Sequence, residues 1–225
     1  MDERFALSVE APAVQAAFQV ERLACAYAPQ SRYAPTAPVP VVFTSPLGRT
    51  LDEFRWGLFP FWAKDSILAD GQEVYYKRAF DRILRKQRCV IPCSGFYGRK
   101  AGRDRRDPPV PFRIGLRGRN VFGLAGLYDE WITPRGERIR SCTILTTPAN
   151  RPAAAYMTRM PLILEDDMID TWLDARMQDK LRLKAMLLPI GEGKLEIESA
   201  EDSPAADAGK GRRAASRWLT AMIRR

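Results

Sequence analysis

An α+β fold, built on an antiparallel β-sheet or partly closed barrel and flanked by helices, is predicted by three features of the 225-residue chain. Short strand-like segments follow one another at regular spacing through the middle of the sequence, separated by Gly, Pro and charged turns. Helical periodicity is confined to the two ends of that stretch. Strands in a run, with helices beyond them, argue for an α+β layer arrangement rather than alternating β/α units.

The elements are expected in the following order. Residues 6–23 read as a strand or turn followed by a short amphipathic helix, with Val14, Ala17, Phe18 and Leu23 as its apolar face. Residues 28–40 carry Pro29, Pro35, Pro38 and Pro40, which excludes a helix and makes an extended loop feeding a strand at Val39-Pro40-Val41-Val42-Phe43. Residues 54–62, FRWGLFPFW, form an aromatic segment broken by Gly57 and Pro60. A helix is predicted from Tyr76 to Arg88, with Phe80, Ile83 and Leu84 on one side and Arg78, Arg82, Arg85, Lys86 and Arg88 around the rest. Strands are predicted at Cys89–Pro92, Phe96–Arg99, Pro111–Leu116, Val121–Leu127 and Cys142–Thr146, and helices at Met168–Leu173 and Lys180–Leu188. Arg103–Pro109 reads as a hairpin tip or mobile loop. One domain is expected over residues 1–198. A small, polar linker follows at 199–211, then a basic amphipathic tail helix at 212–225 with Ala215, Trp218, Leu219, Met222 and Ile223 on one side. That tail either docks on the domain or contacts nucleic acid or a protein partner.

Composition removes several kinds of chemistry. The chain contains no histidine, which excludes Ser-His-Asp and Cys-His nucleophile pairs, imidazole acid–base catalysis and His-ligated zinc. Cys25, Cys89, Cys93 and Cys142 read as reduced thiols of a cytoplasmic protein; Cys89 and Cys93 lack the second pair that a zinc site needs. No metal or organic cofactor is implied. No apolar run is long enough to span a membrane, and the first residues are charged rather than signal-like.

Thirty-six Lys and Arg against 27 Asp and Glu give a net charge of +9. The excess is uneven: Lys77 to Arg119 holds fourteen basic residues and three acidic ones, Asp81, Asp104 and Asp107, whereas acidic residues predominate from Glu165 to Asp207. The expectation is a positively charged end that attracts a polyanion. Arg4, Arg78, Arg82, Arg85 and Arg159 are candidate phosphate contacts, and Thr147 a candidate donor to a phosphate oxygen. Trp56 and Trp62 offer faces for base stacking. The competing reading of the tryptophans is as core residues, and of each arginine as a solvated surface residue.

An ordered set of segments then becomes specific. Arg4-Phe5-Ala6, Ala34-Pro35-Thr36 with Val39-Pro40-Val41-Val42, and Trp56-Gly57-Leu58-Phe59-Pro60-Phe61-Trp62-Ala63-Lys64-Asp65 come first. Arg88-Cys89-Val90-Ile91-Pro92, Gly95-Phe96-Tyr97, Ala125-Gly126-Leu127, Ser141-Cys142-Thr143 through Thr146-Thr147 to Asn150, and Arg159-Met160-Pro161 follow. Over residues 1 to about 175 the chain resembles the SRAP family, the SOS-response-associated peptidases, also called abasic-site processing proteins. The resemblance implies binding to single-stranded DNA and single-strand/double-strand junctions. It implies covalent capture of abasic sites by an N-terminal cysteine freed when the initiator Met leaves, whose amine and thiol close a thiazolidine on the sugar aldehyde. A Glu in G-F-Y-E-W, a His in H-x-R-M-P and an Asn in N-A-R-x-E assist. It also implies that the W-G-L-x-P-x-W and A-P-T loops line the DNA groove, which carries over to Trp56, Trp62, Pro35 and Pro40.

The sequence departs from that pattern at each catalytic position. Asp2 stands where the family has Cys, Gly98 where it has Glu, and Met157 where it has His, while residues 67–74 hold no clean counterpart of N-A-R-x-E. Asp2 has no thiol and cannot close a thiazolidine. The expectation is therefore a single-stranded or junction DNA-binding protein that has lost crosslinking and self-processing. Two alternatives remain open: a residual abasic-site enzyme using the N-terminal amine as a Schiff base, and a protein or RNA interaction module on the same scaffold.

Overall fold

The computed structural model describes residues 3–59, 63–101, 108–133 and 135–200. The tail helix, the linker beyond Ala200, Trp62, Asp2 and most of Arg103–Pro109 lie outside the described residues.

The chain begins with β1 (Phe5–Leu7) and α1 (Ala11–Phe18). Pro12 in the first turn is compatible with helix initiation, because its missing N–H would have had no intrahelical partner. Gln19, at φ 51°, ends the helix in the left-handed conformation. Val14 and Phe18 are buried as expected, but Leu23 is exposed and belongs to β2 (Arg22–Leu23). β3 (Gln30–Tyr33), β4 (Pro38–Ser45) and β5 (Gly48–Trp56) follow. Gly48 takes φ 97° in the tight connection between β4 and β5, a conformation open to glycine.

After β6 (Leu68–Asp70) the predicted Tyr76–Arg88 helix is replaced by shorter pieces. These are α2 (Gly71–Val74), a 3₁₀ turn at Arg78–Phe80 and α3 (Asp81–Lys86). Lys77 is extended (φ −74°, ψ 118°) and breaks the helical run, while Arg88 already belongs to the next strand. β7 (Arg88–Cys93), β8 (Gly95–Lys100), β9 (Val110–Leu116), β10 (Phe122–Ile132) and β11 (Arg138–Pro148) occupy the expected strand segments with longer bounds. β12 (Arg159–Pro161), β13 (Ile163–Leu164), α4 (Asp166–Leu173), α5 (Lys180–Ala185) and β14 (Leu195–Ser199) complete the described chain.

β5, β4, β7, β10 and β11 are joined in that order by antiparallel pairings, and β11 returns to β5 through a parallel pairing, Ser141 opposite Arg55 and Cys142 opposite Trp56. The result is a closed five-stranded barrel. A second, antiparallel sheet runs in the order β14-β9-β8-β1-β3. β7 and β8 connect the two sheets through Ser94, whose amide donates to the carbonyl of Ala6. All six residues of β7 and the central five of β4 are buried, so both strands read as continuous apolar runs rather than alternating ones.

α4 closes one side of the barrel. Trp172 is fully buried and its indole donates to the carbonyl of Cys89 at 2.9 Å. Arg88, also buried, spreads its guanidinium over the carbonyls of Leu84, Arg85, Trp172, Asp174 and Met177. Burial pulls its pKa down to about 10, which leaves it charged at neutral pH. Arg88 is thus an internal tie between α3 and the segment around the end of α4, and its cost of burial is offset by five carbonyl acceptors.

Candidate nucleic-acid interface and the positions of the family chemistry

β1 lies antiparallel to β8, Phe5 opposite Phe96 and Ala6 opposite Gly95, and the amide of Tyr97 donates to the carbonyl of Arg4. This register lays Arg4 to Ala6 along β8 beside Gly95 to Tyr97. Gly98 is buried, and a Cβ built on it would sit 2.6 Å from Cε of Met157 and 3.0 Å from Cβ of Tyr156. The amide of Arg99 donates to the carbonyl of Tyr156 at 3.0 Å, fixing the two segments together. Tyr156 packs against Phe112, ring centroids 4.6 Å apart. Two positions singled out from separate motifs therefore meet in space, and a thioether methyl fills the gap between them. Neither residue carries a proton that could be exchanged in catalysis.

The described members of the predicted DNA-contact set do not form one surface. Trp56 is fully buried, edge-on to Phe5, and donates its indole N–H to the carbonyl of Ile67 at 2.8 Å. It is a core residue rather than a stacking face. Thr147 is buried with no hydrogen-bond partner for its hydroxyl among the described residues, so that hydroxyl is out of reach of a phosphate. Pro40 is buried in the barrel strand β4 opposite Glu53. Arg159 is drawn inward: it pairs with Asp70 at 2.9 Å and donates to the hydroxyl and carbonyl of Thr146. Asp70 also caps α2 by accepting from the amides of Gln72 and Glu73, so Arg159 braces that helix start against β11. Arg85 pairs with Asp81 one helical turn away, and Arg82 with Asp129 across to β10 at 2.7 Å. Arg4 is half-buried.

Folding brings part of the segregated charge together. Arg113 pairs with Glu198 and Arg119 with Asp166, joining the basic middle to the acidic end, while Lys180 of the acidic end pairs with Asp81 of the basic middle. Arg78 is the exception in the predicted set: it is exposed, and the described residues give it no ion-pair partner.

Arg78 lines a cleft of about 460 Å³ between α3 and the described residues on either side of 60–62. Leu58, Phe59, Phe80 and Ile83 line it, together with Asp65, Lys77, Arg82 and Asp129. Lys77 bridges Asp65 at 2.5 Å and Glu73 at 2.7 Å, and these hydrogen bonds raise its pKa. Phe59 leans on Trp131, ring centroids 5.6 Å apart. Lys77, Phe59, Trp131 and Asp129 escaped the sequence reading. Phe59 was visible only as part of an aromatic run, and Trp131 lies at the far end of β10, brought alongside by the hairpin. Among the described residues no group of three or more Cys, Asp or Glu side chains could hold a metal ion, and no helix is long and apolar enough to cross a membrane.

A five-stranded barrel carrying a second sheet, with β1 laid along β8, is the architecture of a known class. The profile of the SOS response associated peptidase (SRAP) family matches residues 1–203, and the chain belongs to that family. It is 34% identical over 189 residues to the abasic site processing protein YoqW of Bacillus subtilis (strain 168), covering 79% of this chain and 83% of that protein. It is 29% identical over 160 residues to the abasic site processing protein HMCES of Rattus norvegicus, covering 56% of this chain and 45% of that protein. In fold it is similar to a protein of Bacteroides thetaiotaomicron, with a TM-score of 0.76 at 21% identity over 88% of this chain and 92% of that one.

Proposed function

We propose that this chain is a cytoplasmic DNA-binding member of the abasic-site processing family that engages single-stranded or junction DNA without crosslinking to it and without processing its own N-terminus. One observation carries the reading: the contact between Gly98 and Met157, which puts a glycine and a thioether where the family pattern has a carboxylate and an imidazole. Asp2 at the family's cysteine position points the same way, since a carboxylate cannot close a ring on an aldehyde. A net charge of +9 and the exposed Arg78 support binding to a polyanion.

The test is one pair of gels with labelled single-stranded DNA carrying a single abasic site, with and without borohydride, beside a native shift at two salt concentrations. The expected result is a salt-sensitive shift and no covalent band. A band trapped only by borohydride would instead assign the chain a Schiff-base chemistry on its N-terminal amine, and a band without reductant would overturn the inactive reading altogether.

A further inference from the structure

We propose that α5 and the neighbouring Tyr76 form a docking surface for a short acidic segment of another protein that carries apolar side chains between its carboxylates. The inference goes beyond the DNA-binding reading and does not depend on it.

Exposed apolar side chains are gathered here rather than scattered. Leu181 is 76% exposed, Tyr76 71% and Leu188 62%. Leu181 and Ala185 stand one turn apart on the same open face of α5. Leu188 follows the turn that the amide of Leu187 closes on the carbonyl of Lys184. Tyr76 is tied to the same helix, because Lys184 donates to its hydroxyl at 2.8 Å. Single exposed leucines are ordinary on a folded protein, whereas a cluster of them marks a contact surface. The charge of the surface selects the partner. α5 contains Lys180, Arg182 and Lys184 and no acidic residue. Asp179, just before it, is engaged as the cap, accepting from the amides of Leu181 and Arg182. Lys180 is committed to Asp81, but Arg182 and Lys184 have no carboxylate partner among the described residues. Two such cations beside open leucines suit a segment that alternates carboxylates with apolar anchors. A nucleic acid fits less well. Lys184 lies 5.3 Å over the rings of both Tyr75 and Tyr76, and Lys180 5.9 Å over that of Tyr75, so cations already cover faces on which bases would stack. A second copy of this chain, in a two-fold contact, would set the same cations against each other on top of a net charge of +9.

The experiment pans a displayed library of short random peptides against the full chain, then measures the most enriched peptide, synthesised with a fluorescent label, by anisotropy. Enrichment of sequences with Asp or Glu between Leu or Phe is expected. Leu181→Ser and Leu188→Ser should each weaken that peptide at least roughly fivefold, as loss of an apolar anchor does. Arg182→Glu should weaken it by a similar factor, with the effect largest at low salt. Leu47→Ser, at a leucine 66% exposed elsewhere on the molecule, should leave the affinity unchanged. All four variants replace exposed side chains and should keep the parent's thermal midpoint. Failure to enrich acidic sequences, or a peptide whose affinity ignores Leu181, Leu188 and Arg182, overturns the proposal. Displacement of the peptide by single-stranded DNA, with DNA binding itself lost in Leu181→Ser, reassigns the face to nucleic acid and overturns it as well. Concentration-dependent self-association in sedimentation that Leu181→Ser abolishes would assign the face to a second copy, with the same consequence.

Discussion

The methyl of Met157 occupies the space in which a side chain on Gly98 would begin, 2.6 Å from where its Cβ would lie. The two residues are held there by the backbone bond from Arg99 to Tyr156 and by β8 itself. The contact makes them energetically coupled. Gly98→Ala alone should cost about 1–3 kcal/mol through overpacking. Met157→Ala alone should cost about 2–5 kcal/mol by opening a cavity. The double variant should cost less than the sum, because the new methyl enters the void left by the thioether. Urea unfolding of the four proteins measures the coupling, and strict additivity would contradict the contact.

Arg88 should be among the most sensitive positions in the chain. Replacing it with Met removes the guanidinium bonds to the carbonyls of Leu84, Arg85, Trp172, Asp174 and Met177, of which Asp174 keeps the amide of Met177. The expected loss is about 3–5 kcal/mol. Arg88→Lys should recover only part of it, since an ammonium cannot span the same fan of acceptors. Thermal unfolding of both variants decides this; a Met variant as stable as the parent would remove Arg88 from its assigned role.

Trp56 and Arg78 should separate stability from binding. Trp56→Phe removes the indole bond to Ile67 and should cost about 1–2 kcal/mol of stability. It should leave the salt slope of DNA binding unchanged, as a buried residue contributes no phosphate contact. Arg78→Ala should do the reverse. A Trp56→Phe protein that folds with unaltered stability yet loses DNA would return that ring to the interface.

Stability should fall on the alkaline side. Burial raises Cys25 and Cys93 from 9.0 to about 12, and Tyr27 and Tyr128 from 10.0 to about 12. Below pH 9 these groups are protonated in both states and their contribution is fully present. Between the two sets of values the unfolded chain ionises while the folded one holds its protons, so stability declines as pH rises. Urea midpoints at about pH 8 and about pH 10.5 should differ in that direction, and Cys93 should react with a thiol reagent only as the chain unfolds. An unchanged midpoint would mean these groups are less enclosed than the structure has them.

The strand segments, the flanking helices and the family could be read from the linear chain because each rests on local signals. Strand candidates such as Phe96–Arg99 and Pro111–Leu116 were bounded by turn residues, and helices such as Met168–Leu173 showed their own periodicity. The departures at Asp2, Gly98 and Met157 were legible in the same way, as residues out of place in ordered motifs. Tertiary structure decided what Gly98 and Met157 touch. The parallel pairing of β5 with β11 closes the barrel between segments far apart in sequence, and no local pattern encodes it. That closure buries Trp56, which the chain alone left open between core and interface. Arg82, Arg119 and Arg159 carry the same charge as Arg78 in the sequence, but folding sets an aspartate beside each of them and none beside Arg78 among the described residues. A side chain's type is written in the sequence, whereas its availability to a ligand depends on which distant group desolvates or neutralises it, and that is settled only when the strands pair.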